Sequence, residues 1–361
     1  MISAVIMVGA AVGQSDPVEW VYGAQRAAAK DLLQQLTDQD LIDRVIVVSP
    51  SVSDLDTSHM SEWLISEEGP IHIGRWLAKI AIEFDVDRLL YFSGGSAPLL
   101  SDQLLSDVIE KLAASSAGVI TNNRFASDWA GIASAKTLDQ WTERIPKDNM
   151  IGWVLSTEAG LPIEDLPPSA ASRLDIDTPA DLLTLDLHPH VKLHLRRFLT
   201  QLSLDSTPIR SLLKVMRQRA SQIFVAGRLA PEAWQVLNQS TESWIRVISE
   251  ERGMISSGRF ARGEVFSILG SLIESKGLDG FFDMLADHCQ AALIDNRVLL
   301  AHRGKWPSEQ DRFASDLGFI DKISDPWLRK LTIAAQDVPI PVIMGGHGLL
   351  AGDLFALCEM L

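Results

Sequence analysis

The sequence predicts an α/β fold: a mainly parallel, Rossmann-like sheet followed by a second, smaller α/β domain. Two observations carry this. Short apolar runs without polar alternation, such as Leu89–Ser93, suit strands buried on both faces of a parallel sheet. From Ala4 to Thr121 such runs alternate with segments of helical apolar spacing, which calls for right-handed crossovers and parallel pairing. A third observation divides the chain. At 361 residues it is long for one core, and the segment Asp186–Lys192, DLHPHVK, with a proline and two histidines, marks a boundary. Residues 1–187 and 188–361 are therefore expected to be separate domains.

Ala4–Val8 reads as the first strand, followed by the small residues Gly9 to Gly13 and the polar turn Gln14–Pro17. Ala24–Leu36 is rich in Ala, Leu and Gln and predicts a helix. Arg44–Val48 is a β-branched run closed by Ser49-Pro50, a second strand. Ile73, Trp76, Leu77, Ile80, Ala81 and Phe84 recur at helical spacing. Leu89–Ser93 is the central strand. Gly94 and Gly95 let the chain turn sharply at its carboxyl end, and Ser101 reads as the N-cap of a helix with Leu104, Leu105, Val108, Ile109 and Leu112 on one face. Gly118–Thr121 is a further strand running into Asn122-Asn123-Arg124. Asp128–Pro168 is less regular, and Ser172–Asp175 is expected to be a short strand.

His194–Gln218 reads as helical, with a basic cluster from Arg196 to Arg219. The second series follows. Gln222–Ala226 and Trp244–Ile248 are strands, and Pro231–Leu237, Gly263–Glu274 and Phe281–Cys289 are helices. Ala292–Ala301 suits either state. Pro339–Met344 is a last strand, and Gly345-Gly346-His347-Gly348 opens a final apolar helix.

The composition narrows the function classes. Apolar residues at 47% and charged residues at 22% describe an ordinary globular chain. A net charge of −15 disfavours nucleic acid and anionic membrane surfaces as partners, while leaving room for a small phosphorylated ligand in a local pocket. Two cysteines, Cys289 and Cys358, give neither a disulfide framework nor a metal-ligand pattern, so a cytoplasmic location is expected. The opening MISAVIMVGAAVG lacks a basic stretch and runs quickly into glycine, unlike a signal peptide or a membrane span.

Ligands of open α/β sheets bind outside the carboxyl ends of strands, where Gly94, Gly95 and Ser96 are expected. Gly9 and Gly13 can let backbone approach a phosphate, or serve tight strand–helix packing. Asn122, Asn123 and Arg124 face the same side, as readers of a base or acceptor or as a plain turn. In Asp175-Ile176-Asp177-Thr178-Pro179-Ala180-Asp181, Thr178, Pro179 and Asp181 form a helix start, which leaves Asp175 and Asp177 as metal candidates. In the second half, Asp295, Arg297, His302, Arg312 and His347 are candidates. The polar run containing the first four reads as ion pairs on a solvated face, a second ligand site or a domain interface.

The first half resembles the MobA-like nucleotidyltransferases, which include the molybdenum-cofactor nucleotidylyltransferases and the phospholactate or phosphoenolpyruvate guanylyltransferases. Val5–Gly13, Leu89–Leu105 and above all Leu174–Leu182, matching D-x-D-T-P-x-D-L, carry the resemblance. It implies a nucleotidyltransferase-like sheet and attack of a small acceptor on the α-phosphate of an NTP, with Mg²⁺ and release of pyrophosphate. By the same resemblance Gly9, Gly13, Gly94, Gly95 and Ser96 would line the nucleotide, Asn122, Asn123 and Arg124 the acceptor, and Asp175 and Asp177 would serve as catalytic metal ligands. Two positions depart from the family. Gly9–Pro17 holds no basic residue, the nearest being Arg26 and Lys30, and Ser96 stands where a metal-binding Asp is usual. A catalytically inactive relative that binds a nucleotide or metabolite, or acts as an assembly module, is the alternative. The apolar stretch Leu349–Leu361 makes a homodimer a possible partner state.

Overall fold

The computed structural model describes residues 1–9, 16–50, 62–66 and 71–361; Gly13 lies outside them. The chain forms two units. One comprises Met1–Val12, Tyr22–Asp175 and Val191–Phe198, and the other Gly13–Val21, Ile176–His190 and Leu199–Leu361.

The first unit is built on a seven-stranded sheet of order β3-β2-β1-β4-β6-β5-β7. Its strands are β1 (Ile2–Met7), β2 (Ile42–Ser49), β3 (Glu62–Ile65), β4 (Arg88–Ser93), β5 (Gly118–Thr121), β6 (Trp129–Ala133) and β7 (Ile163–Asp165). β1 pairs in parallel with β2 and β4, with Val5 opposite Ile46 and Tyr91. Only β6 runs against its neighbours. Alternate residues of the central strands feed two separate cores: Ala4, Ile6, Leu90 and Phe92 on one face, Val5, Met7, Leu89 and Tyr91 on the other. Burial on both faces is why these strands read as unbroken apolar runs.

The helix before β2 begins at Asp16, eight positions ahead of the expected Ala24, because Pro17 suits a first helical turn and Asp16 and Glu19 favour its positive end. The expected helices at Ile73–Glu83 and Asp102–Ala114 are present, and Ser101 caps the second through Leu104 N at 3.2 Å. Strands β3, β6 and β7 were not expected. β3 is a four-residue edge strand with exposed positions, and β6 (WAGIA) holds two alanines and a glycine, poor strand formers that tertiary packing overrides. Leu112 leaves no room at Gly131 for more than hydrogen without adjustment, and Trp129 stacks on its cross-strand partner Phe92 at 5.0 Å. The strand expected at Ser172–Asp175 is instead a helical turn, Ala170–Arg173, tied by the reciprocal Ser169–Ser172 cap, with a single bridge at Asp175.

The second unit holds a smaller, four-stranded parallel sheet, order β11-β10-β8-β9, from β8 (Gln222–Gly227), β9 (Trp244–Ser249), β10 (Ala291–Asp295) and β11 (Val342–Gly345). The segment expected as strand or helix is both, β10 running directly into the helix Asn296–His302. The basic segment is two helices, Leu193–Leu199 and Thr207–Met216. Leu349, Leu350, Leu354, Phe355 and Leu357 are buried in the chain itself.

Candidate functional site

In the first unit the carboxyl ends of β1 and β4 meet. Gly94 N donates to Met7 O at 2.8 Å, and a Cβ at Gly94 would come within 3.1 Å of Val8 Cγ2, so glycine permits this approach. Gly9 follows on the β1 side with open space where a Cβ would point. Gly95 and Ser96 are buried in the turn after β4. Ser96 Oγ donates to Ser93 O at 2.8 Å, so this hydroxyl closes the turn. The next residue, Ala97, is held at φ +54°, a left-handed conformation rare outside glycine and costing about 1 kcal/mol or more. The turn is thus locally strained where a ligand is expected.

Ser96 forms an isolated antiparallel bridge with Asp175, which brings Asp175 against the β4 turn. Asp175 is half-buried, Ile176 fully buried and Asp177 exposed. The backbone N–H groups of Asp177 and Thr178 both donate to Asp181 Oδ2, at 2.8 and 2.6 Å, completing the expected capping box of the helix Pro179–Leu187.

Asn122, Asn123 and Arg124 lie in the β5–β6 connection. Asn122 is buried, donates to Asp128 Oδ2 at 2.9 Å and accepts from Asp128 N at 3.1 Å; its own carbonyl accepts from Arg173. Asn123 Oδ1 accepts from Phe125 N at 3.1 Å. Arg124 binds Asp165 through its backbone N–H at 2.7 Å and its Nε at 2.5 Å. These side chains hold the turn together.

Two residues not singled out from the sequence join this region. Tyr91, fully buried on β4, donates to Asp148 Oδ2 at 3.2 Å. Burial first, then the charges of Asp148, Asp175 and Asp128, hold its pKa well above the ordinary phenol range. Asp128 and Asp148 sit in the irregular stretch, where no spacing marks them. Among the described residues no group of three or more His, Cys, Asp or Glu is placed to hold a metal ion.

The second-unit candidates separate into four places. Strand order reverses between β8 and β10, where parallel sheets open a crevice. Asp295, fully buried at the end of β10, accepts from Arg228 Nε at 2.5 Å and Nη2 at 3.1 Å. Gly227 has φ +130°, and a Cβ there would lie 2.4 Å from Asp295 Cβ. His347 follows β11 and is solvent-exposed. Arg297 goes elsewhere. It makes a bidentate pair with Asp316 at 2.6 and 2.5 Å, with 5% and 0% side-chain exposure. Arg312 lies over the Trp306 ring and donates to Pro307 O at 2.5 Å. His302 Nδ1 accepts from Ser267 N at 3.0 Å. The reading of a solvated face is thus corrected for Asp295, Arg297 and Asp316, because every charge there has a buried counter-charge. Arg228 was missed: a lone arginine after a strand gives no signal.

No protein-family model matches the chain, and no curated protein matches it. Among solved structures it is similar to a cytidylyltransferase from Leptospira borgpetersenii (14% identity, 55% of this chain, 93% of that one, TM-score 0.36). It is also similar to a candidate nucleotide-diphospho-sugar transferase from Desulfovibrio desulfuricans (15% identity, 56% and 99%, TM-score 0.40). A third is the bifunctional IspDF of Campylobacter jejuni (14% identity, 48% and 51%, TM-score 0.34). Similarity at this level assigns no activity.

Proposed function

We infer that the first unit binds a nucleoside triphosphate at the carboxyl ends of β1 and β4 and acts as a nucleotidyltransferase of the MobA-like type. The observation that carries this reading is the Ser96–Asp175 bridge, which sets the D-x-D-T-P carboxylate beside the strained turn Gly94–Ala97. The resemblance of Leu174–Leu182 to the family's motif supports it. Gly9, Gly94 and Gly95 would offer backbone to the phosphates. An acceptor oxygen attacks the α-phosphorus; the new P–O bond forms as the bond to the β-phosphate breaks, and pyrophosphate leaves.

Mg²⁺ needs only one or two protein carboxylates when phosphate oxygens and water complete its shell. Asp175, half-buried at the bridge, fits as one such ligand within the first unit. The ion would neutralise charge on the triphosphate. The protein's own part is to hold the carboxylate and the backbone amides in place before the nucleotide arrives.

One observation favours a second reading, nucleotide or metabolite binding without transfer. Ser96 occupies the position of a usual metal-binding carboxylate, and its hydroxyl is already committed to Ser93 O. The test is a thermal-shift series with GTP, CTP, ATP and UTP, each with and without Mg²⁺. The transferase reading expects a shift for one nucleotide that requires Mg²⁺ and disappears in Asp175→Ala. A shift indifferent to Mg²⁺ supports the binding module, and no shift with any nucleotide overturns the transferase reading.

A further inference from the structure

We propose that β9 is a dimerisation edge: it pairs antiparallel with β9 of a second copy of this chain, joining two four-stranded sheets into one.

β9 ends the order β11-β10-β8-β9, so one of its sides has no strand beside it. Trp244 N donates to Ser221 O at 2.7 Å and Glu250 N to Gly227 O at 3.0 Å, so the even-numbered residues serve β8. Ile245, Val247 and Ser249 therefore turn their backbone N–H and C=O to the open side, a template for another strand. Proteins guard such edges by keeping them short, by placing Lys or Pro on them, or by covering them. The other three edge strands are short, β3 and β11 with four residues and β7 with three, and Ile343 to Gly345 of β11 are also buried. β9 has six residues, WIRVIS, with neither Lys nor Pro. Trp244 is 70% exposed and Val247 37%. Pairing would bury both.

Self-complementarity identifies the occupant. In an antiparallel pair, directly opposed residues either both point toward each other or both point away, so a two-fold axis sets one residue opposite its own copy. Centred on Arg246, the pairing would oppose Arg246 to itself and Glu242 to Glu250, like charges that repel. Centred on Val247 or Ile248, it would set Trp244 or Arg246 opposite Glu250, whose carboxylate already accepts from Ser267 Oγ and Ile268 N. Centred on Trp244, it would rely on Glu242, which lies before the strand and pairs with Arg219 at 3.2 Å. Centred on Ile245, it sets Trp244 opposite Arg246 of the second copy, and by symmetry does so twice. These are the closer, non-hydrogen-bonded positions, where a guanidinium can lie over an indole. A foreign peptide would meet Trp244 and Arg246 in this way only by chance, whereas a second copy does so by symmetry. The joined sheet would end in β11 on both sides, already buried, so assembly stops at two.

This pairing is independent of the nucleotide reading, and its test uses no ligand. Sedimentation velocity of the full chain at micromolar concentrations should give a dimer. Ile245→Pro removes an N–H that faces the open side and none that bonds β8, so it should give a folded monomer, with circular dichroism checking the fold. Opposed hydrogen-bonded residues hold their Cα atoms about 5.5 Å apart, within disulfide reach. Ile245→Cys should therefore crosslink to its own copy under mild oxidation, while the wild type, whose Cys289 is buried, should not. Val247→Cys alone should stay uncrosslinked but should join Ser243→Cys when the two are mixed. A wild-type monomer, a dimer that survives Ile245→Pro, an assembly larger than two, or crosslinking through Val247→Cys alone in place of Ile245→Cys would each overturn the proposal.

Discussion

Asp181 and Asp353, each in the first turn of its own helix, share a fully buried site in the second unit. Burial, and then the charge of Asp353, holds the Asp181 carboxyl well above the usual range. Asp353 is raised by burial to about 6, a rise that the neighbouring Asp181 and Thr184 limit. Two carboxyls in one buried site are most stable with one proton between them.

The pair makes stability depend on pH. Both native pKa values lie above the unfolded value of 3.8, so the folded state binds more protons than the unfolded state. Stability is therefore greatest at low pH with respect to this pair and falls as pH rises from 4 through about 6, where Asp353 loses its proton. The Asp353 contribution is about 3 kcal/mol at most, from its rise to about 6. Urea midpoints between pH 4 and 8 should show this decline, and Asp353→Asn should flatten it. A wild-type decline that persists unchanged in the variant would rule out the pair as its origin.

The Arg297–Asp316 pair is buried on both sides, so removing one partner strands the other charge. Arg297→Met should destabilise by about 3–5 kcal/mol, and adding Asp316→Leu should recover much of the loss. Equilibrium denaturation of the single and double variants reads the coupling directly.

At Gly227 both space and backbone exclude a side chain: φ is +130°, and a Cβ added there would stand 2.4 Å from Asp295 Cβ. Gly227→Ala should cost about 3 kcal/mol or more. Gly304→Ala, at φ +63° with nothing within 4 Å, should cost about 1 kcal/mol, which makes it the control in the same denaturation experiment.

Ser96→Asp would place a carboxylate where the MobA-like families have one. Ser96 is 2% exposed and closes its turn through Ser93 O, so the variant should lose about 2 kcal/mol without ligand. If the nucleotide reading is right, its Mg²⁺-dependent thermal shift with nucleotide should nevertheless exceed that of the wild type.

Burial raises the Cys358 thiol to about 11 and raises Cys289 as well. At pH 8 Cys358 should react with a disulfide reagent about a hundredfold more slowly in the native chain than in denaturant, and Cys289 should also be slowed.

Much of this architecture is legible because its causes are local. Ser101 and Thr178 cap helices through groups three residues away, and Leu89–Ser93 is apolar because both of its faces are covered. The missed elements are those whose cause is distant. β6 is a strand because Phe92 and Leu112 pack on Trp129 and Gly131, and WAGIA by itself has no strand preference. The start of the helix at Asp16 was the exception, a local signal in Asp16, Pro17 and Glu19 read as a turn.

The candidate site divides in the same way. Gly94, Ser96 and Asp175 could be named from sequence, but only the fold sets Asp175 against Ser96 and surrounds Tyr91 with Asp128, Asp148 and Asp175. The residues Asp295, Arg297, His302 and Arg312 look like one polar run, yet they go to different partners: Arg228, Asp316, Ser267 and Pro307. The sequence by itself determined the central strands, the capped helices and their alternation, since hydrophobic period and capping act within a few residues. Tertiary structure alone decided which polar groups meet, because a buried charge takes whatever counter-charge the crossing of distant elements brings to it.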